Sequence, residues 1–275
     1  MSNGIAGIDH IIIGVRDLEA ARRGWMRLGF TATPRGRHIG QGTANYCIMF
    51  GRDYLELPGF VERDEHAHRL ETFLAQREGP MSVAFAPDRD AEATATALAD
   101  RGLHPSAPRA LGRALELAEG AVTPRFSLLN LPPEETPDLD CFICGQLTPE
   151  LVRRPEWLVH PNCVTGIKAV HLVADDPASL APAYRRLFGD DRVSATVRGL
   201  EVDTGRNRLV FTRPALSGID FPPPAITALE LSVANRSASA TYLKGAGVAF
   251  MELPDGRLAV SPNQANGTSL LLAER

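Results

Sequence analysis

The hydrophobic and polar positions of the chain repeat in a pattern that predicts a strand, a helix and three further strands. In its first copy, residues 7–15 form an apolar run typical of a buried strand. Asp17 is placed to cap the following helix, whose apolar positions recur every three to four residues until Gly29. Three more apolar segments predict strands at 32–38, 44–50 and 53–57.

The same order of elements follows three more times. Strands that open these copies are predicted at 81–85, 167–173 and 225–233, and their helices at 90–101, 177–188 and 237–245. The segment 147–165 carries several prolines and few periodic apolar positions, which is typical of a connection. The repeat therefore predicts an α+β fold of four βαβββ modules, with one pair at 1–146, a connector at 147–165 and a second pair at 166–275.

Composition and charge restrict the environment and the partners of the chain. Hydrophobic residues make up 44% and charged residues 23% of the 275 residues, as in soluble globular proteins. A net charge of −4 gives no reason to expect nucleic acid, and no apolar run approaches the roughly 20 residues that cross a bilayer. Residues 1–4 lack the features of a signal peptide. We expect a cytoplasmic protein, and the sequence leaves open whether it forms a homodimer.

The four cysteines do not form a recognisable metal or redox motif. Cys141 and Cys144 have the CxxC spacing, but they lie in a predicted strand, where positions three apart point to opposite faces. No second CxxC accompanies them. We expect the cysteines to be reduced core residues.

Two ionisable residues inside apolar strands indicate that the first module holds the functional residues. His10 lies in the first apolar run, and Glu56 lies in the run at 54–57. A buried charge costs stability unless a partner or a ligand compensates it. We expect both side chains to face one cavity, and a direct His10–Glu56 contact without metal is the alternative.

Several motifs of the chain resemble those of a known superfamily. The four modules, the segment HIGQGTAN at 38–45, the segment YLEL at 54–57 and His-Pro-Asn at 160–162 resemble the vicinal oxygen chelate superfamily, and in particular its glyoxalase-like domain proteins. The resemblance implies that the modules pair into two cup-shaped half-barrels, with a ligand cup in the N-terminal pair. It also implies a divalent metal ion (Fe, Mn, Zn or Ni) held by residues of the first and fourth strands.

The resemblance assigns candidate roles to individual residues. His10 and Glu56 take the metal-ligand positions of the first module and form the candidate catalytic pair. The second module has no His or carboxylate at the matching positions, where only Cys144 or Gln146 could contribute. His38 is therefore the candidate third ligand, which completes a two-His-one-carboxylate set. A hydrogen bond to the substrate or to a turn is the alternative for His38.

Four further residues are candidates for substrate binding, namely Thr43, Asn45, His160 and Asn162. Thr43 and Asn45 share a strand face, and turn chemistry is their alternative. His160 and Asn162 lie in the connector, which could fold over the cup or be pinned by their hydrogen bonds. The C-terminal half has no complete ligand set, so His171 is expected to be a core histidine.

The resemblance and these residues predict a small-molecule enzyme of the glyoxalase or dioxygenase type that depends on a divalent metal. Its activity would be that of a lyase, an isomerase or a dioxygenase. A carboxylate in an apolar cup has a raised pKa when no metal binds it, so Glu56 could also move a substrate proton. The alternative is a metal-free protein that sequesters a small hydrophobic or aromatic compound.

Overall fold

The part of the chain that the structure describes contains sixteen strands and six α-helices. This computed structural model describes residues 3–62, 68–217 and 222–274. The strands are β1 Ile5–Gly14, β2 Gly36–His38, β3 Thr43–Met49, β4 Tyr54–Phe60, β5 Gly79–Pro87, β6 Arg109–Leu115, β7 Arg125–Leu129, β8 Cys141–Gln146, β9 Val164–Val173, β10 Val193–Thr196, β11 Gly199–Asp203, β12 Arg208–Thr212, β13 Ala225–Val233, β14 Phe250–Glu252, β15 Leu258–Val260 and β16 Ser269–Glu274. The helices are α1 Leu18–Arg27, α2 His68–Gln76, α3 Ala91–Ala99, α4 Ala181–Phe188, α5 Pro214–Ser217 and α6 Arg236–Gly245.

The first eight strands close into a barrel with the order β1-β4-β3-β2-β6-β7-β8-β5. Within each module the first and last strands pair in parallel, as β1–β4 and β5–β8. The two modules join through the antiparallel pairs β1–β5 and β2–β6. The N-terminal pair therefore forms a complete ring, because the short strand β2 pairs with both β3 and β6.

The last eight strands form an open sheet with the order β10-β11-β12-β9-β13-β16-β15-β14. Its two modules join through the antiparallel pair β9–β13, and each again pairs its first and last strands in parallel. The predicted α+β fold of four βαβββ modules in two paired halves is confirmed. Its two halves differ, since one closes and the other stays open.

Local sequence signals account for the helices that face the sheets. In α1, the side chain of Asp17 accepts a hydrogen bond from the backbone N–H of Ala20, and Leu18, Ala21 and Trp25 are buried. Asp90 caps α3 in the same way. Helix α2 lies outside the repeat and packs against β1. None of the helices among the described residues has the length and apolarity that crossing a membrane requires.

One hydrophobic core extends through both halves of the chain. It runs from β1 and α1 to β9, β13 and α4. The connector contributes Val152 and Trp157, which pack beside Tyr54 in a second cluster. Tyr184 of α4 donates a hydrogen bond to the backbone oxygen of Pro137 at 2.9 Å, which ties the C-terminal half to the barrel.

Candidate functional site

The barrel encloses a cavity of about 260 Å³ whose two sides have different chemistry. Strands of the first module contribute polar side chains, and those of the second module contribute mostly apolar ones. The polar group comprises His10, His38, Thr43 and Glu56; the apolar group comprises Leu111, Phe126, Leu128 and Phe142. His10 also stacks on the ring of Tyr54, with ring centroids 4.4 Å apart. Four of the five predicted site residues of the first module thus line one cavity, and the fifth, Asn45, does not.

An irregularity in β1 brings two neighbouring side chains together. The pairing with β5 shifts between Ile8 and His10, which leaves Asp9 without a partner residue on that strand. Both Asp9 and His10 are buried, and His10 Nδ1 lies 2.8 Å from Asp9 Oδ2. Because an ionised carboxylate only accepts hydrogen bonds, Nδ1 carries the proton and Nε2 is left to face the cavity.

The carboxylate of Glu56 lies between two histidines. His10 Nε2 is 3.4 Å from Oε2, and His38 Nε2 is 3.4 Å from Oε1. The outer nitrogen of His38 lies 2.8 Å from Thr43 Oγ1, as that of His10 lies against Asp9. Each ring is therefore oriented by an oxygen on its far side, with its inner nitrogen toward the same carboxylate.

The environment of Glu56 lowers its pKa, which contradicts the expected increase. Burial alone would raise the pKa of this carboxyl group, but the contact with His38 and the charge of His10 outweigh the effect of burial. The positive charge of Arg113 acts in the same direction. Glu56 is therefore ionised at neutral pH. The expectation was wrong because the cup around this residue is polar.

A buried arginine is connected to Glu56 through Asn45. Asn45 Nδ2 donates to Glu56 Oε1 at 2.5 Å, and Asn45 Oδ1 accepts from Arg113 Nη1 at 3.2 Å. The same nitrogen of Arg113 lies 2.7 Å from Cys47 Sγ. Burial raises the pKa of the Cys47 thiol to about 11, so this thiol is neutral. Asn45 thus links the positively charged Arg113 to the carboxylate of Glu56 through two hydrogen bonds.

The side chains in the cavity include the types of ligand that bind divalent metal ions. Two imidazoles and one carboxylate are a ligand set for such ions. Among the described residues, one set of three, namely Asp9, His10 and Cys144, places potential ligand atoms within 4.8 Å of one another. His38 and Glu56 are outside that set, so an ion held by them and His10 requires the side chains to move inward. Burial raises the pKa of the Cys144 thiol, which disfavours it as a ligand.

The four candidate substrate-binding residues occupy different places. Thr43 lines the cavity, and Asn45 is buried next to Glu56. His160 lies outside the cavity lining, where Nδ1 accepts from the backbone N–H of Thr31 at 3.0 Å and Nε2 lies 2.9 Å from the backbone oxygen of Met49.

Asn162 also lies outside the cavity lining. Its side chain donates to the backbone oxygen of Leu28 at 3.0 Å and accepts from the N–H of Val164 at 3.1 Å. Like His160, it holds the connector against the barrel, and neither side chain is placed where it could contact a ligand in the cavity.

Sequence reasoning missed three residues of the site, namely Asp9, Arg109 and Arg113. Arg109 and Arg113 line the cavity from β6. Their spacing of four residues places both on one face of a strand, but the sequence pattern predicts no strand that includes Arg109. Asp9 gave no signal, because a regular strand would turn it away from His10.

The C-terminal half carries a separate group of charges. His171 is half-buried, and its Nε2 lies 3.3 Å from Glu230 Oε2. Lys168 and Arg257 also pair with that carboxylate, at 3.1 and 3.2 Å. Burial acts to raise the pKa of Glu230, but the contacts with His171 and Lys168 outweigh it and lower the pKa to about 2. His171 is therefore part of an ion-pair cluster, not the core histidine that was expected.

Known structures share this architecture at low sequence identity. A hypothetical protein of Staphylococcus aureus superposes with a TM-score of 0.70 at 11% identity, covering 98% of this chain and 99% of its own. A mutant of 4-hydroxymandelate synthase from Streptomyces coelicolor superposes with a TM-score of 0.60 at 12% identity, covering 99% and 94%. A variant of homoprotocatechuate 2,3-dioxygenase from B. fuscum gives 0.59 at 11% identity, covering 98% and 72%. These similarities show the fold.

The family is shown by the sequence itself. No curated protein matches the chain significantly. A family model described as a glyoxalase-like domain matches residues 8–188, which is more than half of the chain and includes the whole barrel cavity. The chain belongs to the glyoxalase-like domain family.

Proposed function

We propose that the barrel cavity is the active site of a small-molecule enzyme of the glyoxalase or dioxygenase type. The observation that carries this proposal is the arrangement around Glu56, whose two oxygens each lie 3.4 Å from an imidazole nitrogen. An imidazole lone pair and a carboxylate repel each other, so a proton or a cation must lie between them. Buried groups of this kind in a cavity are typical of functional sites.

His10, His38 and Glu56 would hold a divalent ion such as Fe, Mn, Zn or Ni. Asp9 supports this role, since metal-binding histidines usually donate their other ring N–H to an oxygen acceptor. When bound, the ion would act as a Lewis acid that offsets negative charge on a substrate oxygen.

The residues of the chain supply the remaining functions. Glu56 is ionised at neutral pH and can accept a substrate proton on a carboxylate oxygen. The lowered pKa means that this proton is held weakly and is readily passed on. Asn45 fixes the orientation of Glu56 by donating to Oε1. The apolar wall of Phe126 and Phe142 excludes water from the substrate.

A second candidate function is metal-free binding of a small hydrophobic or aromatic compound. The hydrogen bond from Asn45 to Glu56 favours it, because this bond compensates part of the carboxylate charge without an ion. The aromatic side chains of the second module favour it as well.

Metal analysis of protein purified without chelator separates the two functions. If the chain is a metal-dependent enzyme, we expect near-stoichiometric metal in the wild type and loss of metal in His10→Ala and in Glu56→Ala. His171→Ala should retain its metal, because the ring of His171 lies outside the barrel cavity. Metal-free protein whose melting temperature ignores added Mn²⁺, Fe²⁺, Zn²⁺ and Ni²⁺ would contradict metal dependence and would favour the binding protein.

A further inference from the structure

Arg113 is a buried cation that no carboxylate of the described residues neutralises directly. Only 3% of its surface is exposed. Its Nη1 contacts the amide oxygen of Asn45 and the thiol of Cys47, both of which are neutral groups. Its Nε has no hydrogen-bond partner in the described part of the chain. A buried charge in this state is costly, so an anion bound beside it would be strongly favoured.

Two further arginines lie beside Arg113 in the described lining of the cavity. Arg109 lies two strand positions from Leu111 and four from Arg113, so all three face inward from β6. The guanidinium of Arg109 is exposed and pairs with no other residue that the structure describes. Arg69 of α2 also lines the cavity and pairs with Asp140. Among the lining residues that the structure describes, Glu56 is the sole carboxylate.

The wall beside Arg113 suits a flat or apolar ligand body. Phe126 lies next to the guanidinium, whose carbon is 5.7 Å from the ring centroid, and Phe142 lies on the neighbouring strand β8. The cavity of about 260 Å³ is small compared with the roughly 300–1,000 Å³ of pockets for drug-sized ligands. A ligand that fills it is therefore larger than one ring and smaller than a typical drug molecule.

We propose that the cavity selects a small ligand that carries an anionic group on an apolar or aromatic body, with Arg113 and Arg109 binding the anion. This inference rests on the proposed function, since it takes the barrel cavity as the ligand site. The planar guanidinium matches the two oxygens of a carboxylate or a phosphate group. The anion lies at β6, and the body lies against Phe126.

Calorimetric titration of the intact protein with matched acids and amides tests the anionic requirement. Phenylacetate and benzoate are compared with phenylacetamide and benzamide, which have the same size without the charge. We expect the acid of at least one pair to bind about 10-fold tighter or more than its amide, as a charged hydrogen bond allows. Phenyl phosphate separates the two anion types, and the tighter of phosphate and carboxylate identifies the natural group.

Variants on β6 show whether the arginines carry this preference. Arg113→Gln is expected to weaken binding of the preferred acid about 10- to 100-fold and to leave amide binding unchanged. If Arg113→Gln does not fold, the exposed Arg109→Gln serves instead, with an expected loss of several-fold. Arg37→Gln is the matched control, since Arg37 is a half-exposed arginine on the adjacent strand β2 that does not line the barrel cavity.

Each outcome separates this inference from the proposed function. Equal affinities for acids and amides, no binding of any acid at millimolar concentration, or an acid preference that survives in both β6 variants would overturn the anionic requirement. None of these results changes the metal content of the wild type or of Glu56→Ala, on which the proposed enzyme depends.

Discussion

Asp53 is a buried carboxylate at the contact between the barrel and the C-terminal half, and its titration should make the stability of the chain depend on pH. Its Oδ1 accepts from the backbone N–H of Ile167 at 3.0 Å, and its Oδ2 accepts from Asn207 Nδ2 at 3.4 Å. Burial raises the pKa of Asp53 to about 7, because the hydrogen bonds and the charge of Arg153 do not offset the loss of solvation.

The free energy of unfolding should fall as the pH rises, because the folded state binds the proton of Asp53 more tightly than the unfolded state does. The ordinary pKa of Asp53 is 3.8, so its stabilising contribution is complete below that value and is lost as the pH rises through about 7. With these two pKa values, proton linkage lowers the free energy of unfolding by about 2.5 kcal/mol between pH 5 and pH 8. Asp53→Asn cannot titrate, so it should lack this decrease.

Urea unfolding of both proteins at pH 5 and pH 8 measures the difference. The change in the free energy of unfolding between the two pH values should be about 2.5 kcal/mol more negative in the wild type than in Asp53→Asn. Asp100→Asn, at an exposed position after α3, is the control and should behave as the wild type. An identical pH dependence in the wild type and Asp53→Asn would refute the account of this carboxylate.

Three other substitutions test the site and the fold. Asp9→Ala should weaken metal binding about 10- to 100-fold in a calorimetric titration, because it removes the acceptor that orients His10; an unchanged affinity would contradict this role. Gly267→Ala should lower the free energy of unfolding in urea by about 1–3 kcal/mol, because Gly267 has φ +74° and an added Cβ would collide with the backbone oxygen of Glu78; a wild-type value would argue against the observed turn. His160→Ala should cost about 1–3 kcal/mol in the same assay, because it leaves buried backbone groups unpaired, and should leave ligand affinity in the barrel unchanged; a loss of affinity would place the ring in the binding site.

The order of elements could be predicted because each module carries complete local signals. The cap at Asp17 and the apolar stripe of α1 lie within about a dozen residues of each other. Helix α2 was missed because its buried apolar residues are only Leu70 and Leu74. Closure of the barrel depends on the pairing of Gly36 with Leu115, which are too far apart in the sequence for a local pattern to relate them.

The positions of His10 and Glu56 could be predicted, but the neighbours that determine their chemistry could not. Asp9 reaches His10 through an irregularity in strand pairing that the apolar pattern does not show. Arg113 approaches Glu56 from β6 and, with His38 and His10, lowers its pKa, whereas the local sequence around Glu56 is apolar and suggested the opposite. Tertiary contacts thus decide the charge state of a carboxylate that the sequence could only locate.

The direct test of the central claim is the position of a metal in crystals grown with Zn²⁺. Anomalous diffraction at the zinc edge should show one peak in the barrel cavity at about 2.0–2.2 Å from His10 Nε2, His38 Nε2 and an oxygen of Glu56. The same crystals of Glu56→Ala should lack this peak. A barrel without a peak, or a peak bound by Asp9 and Cys144 in place of His38 and Glu56, would contradict the proposed metal site.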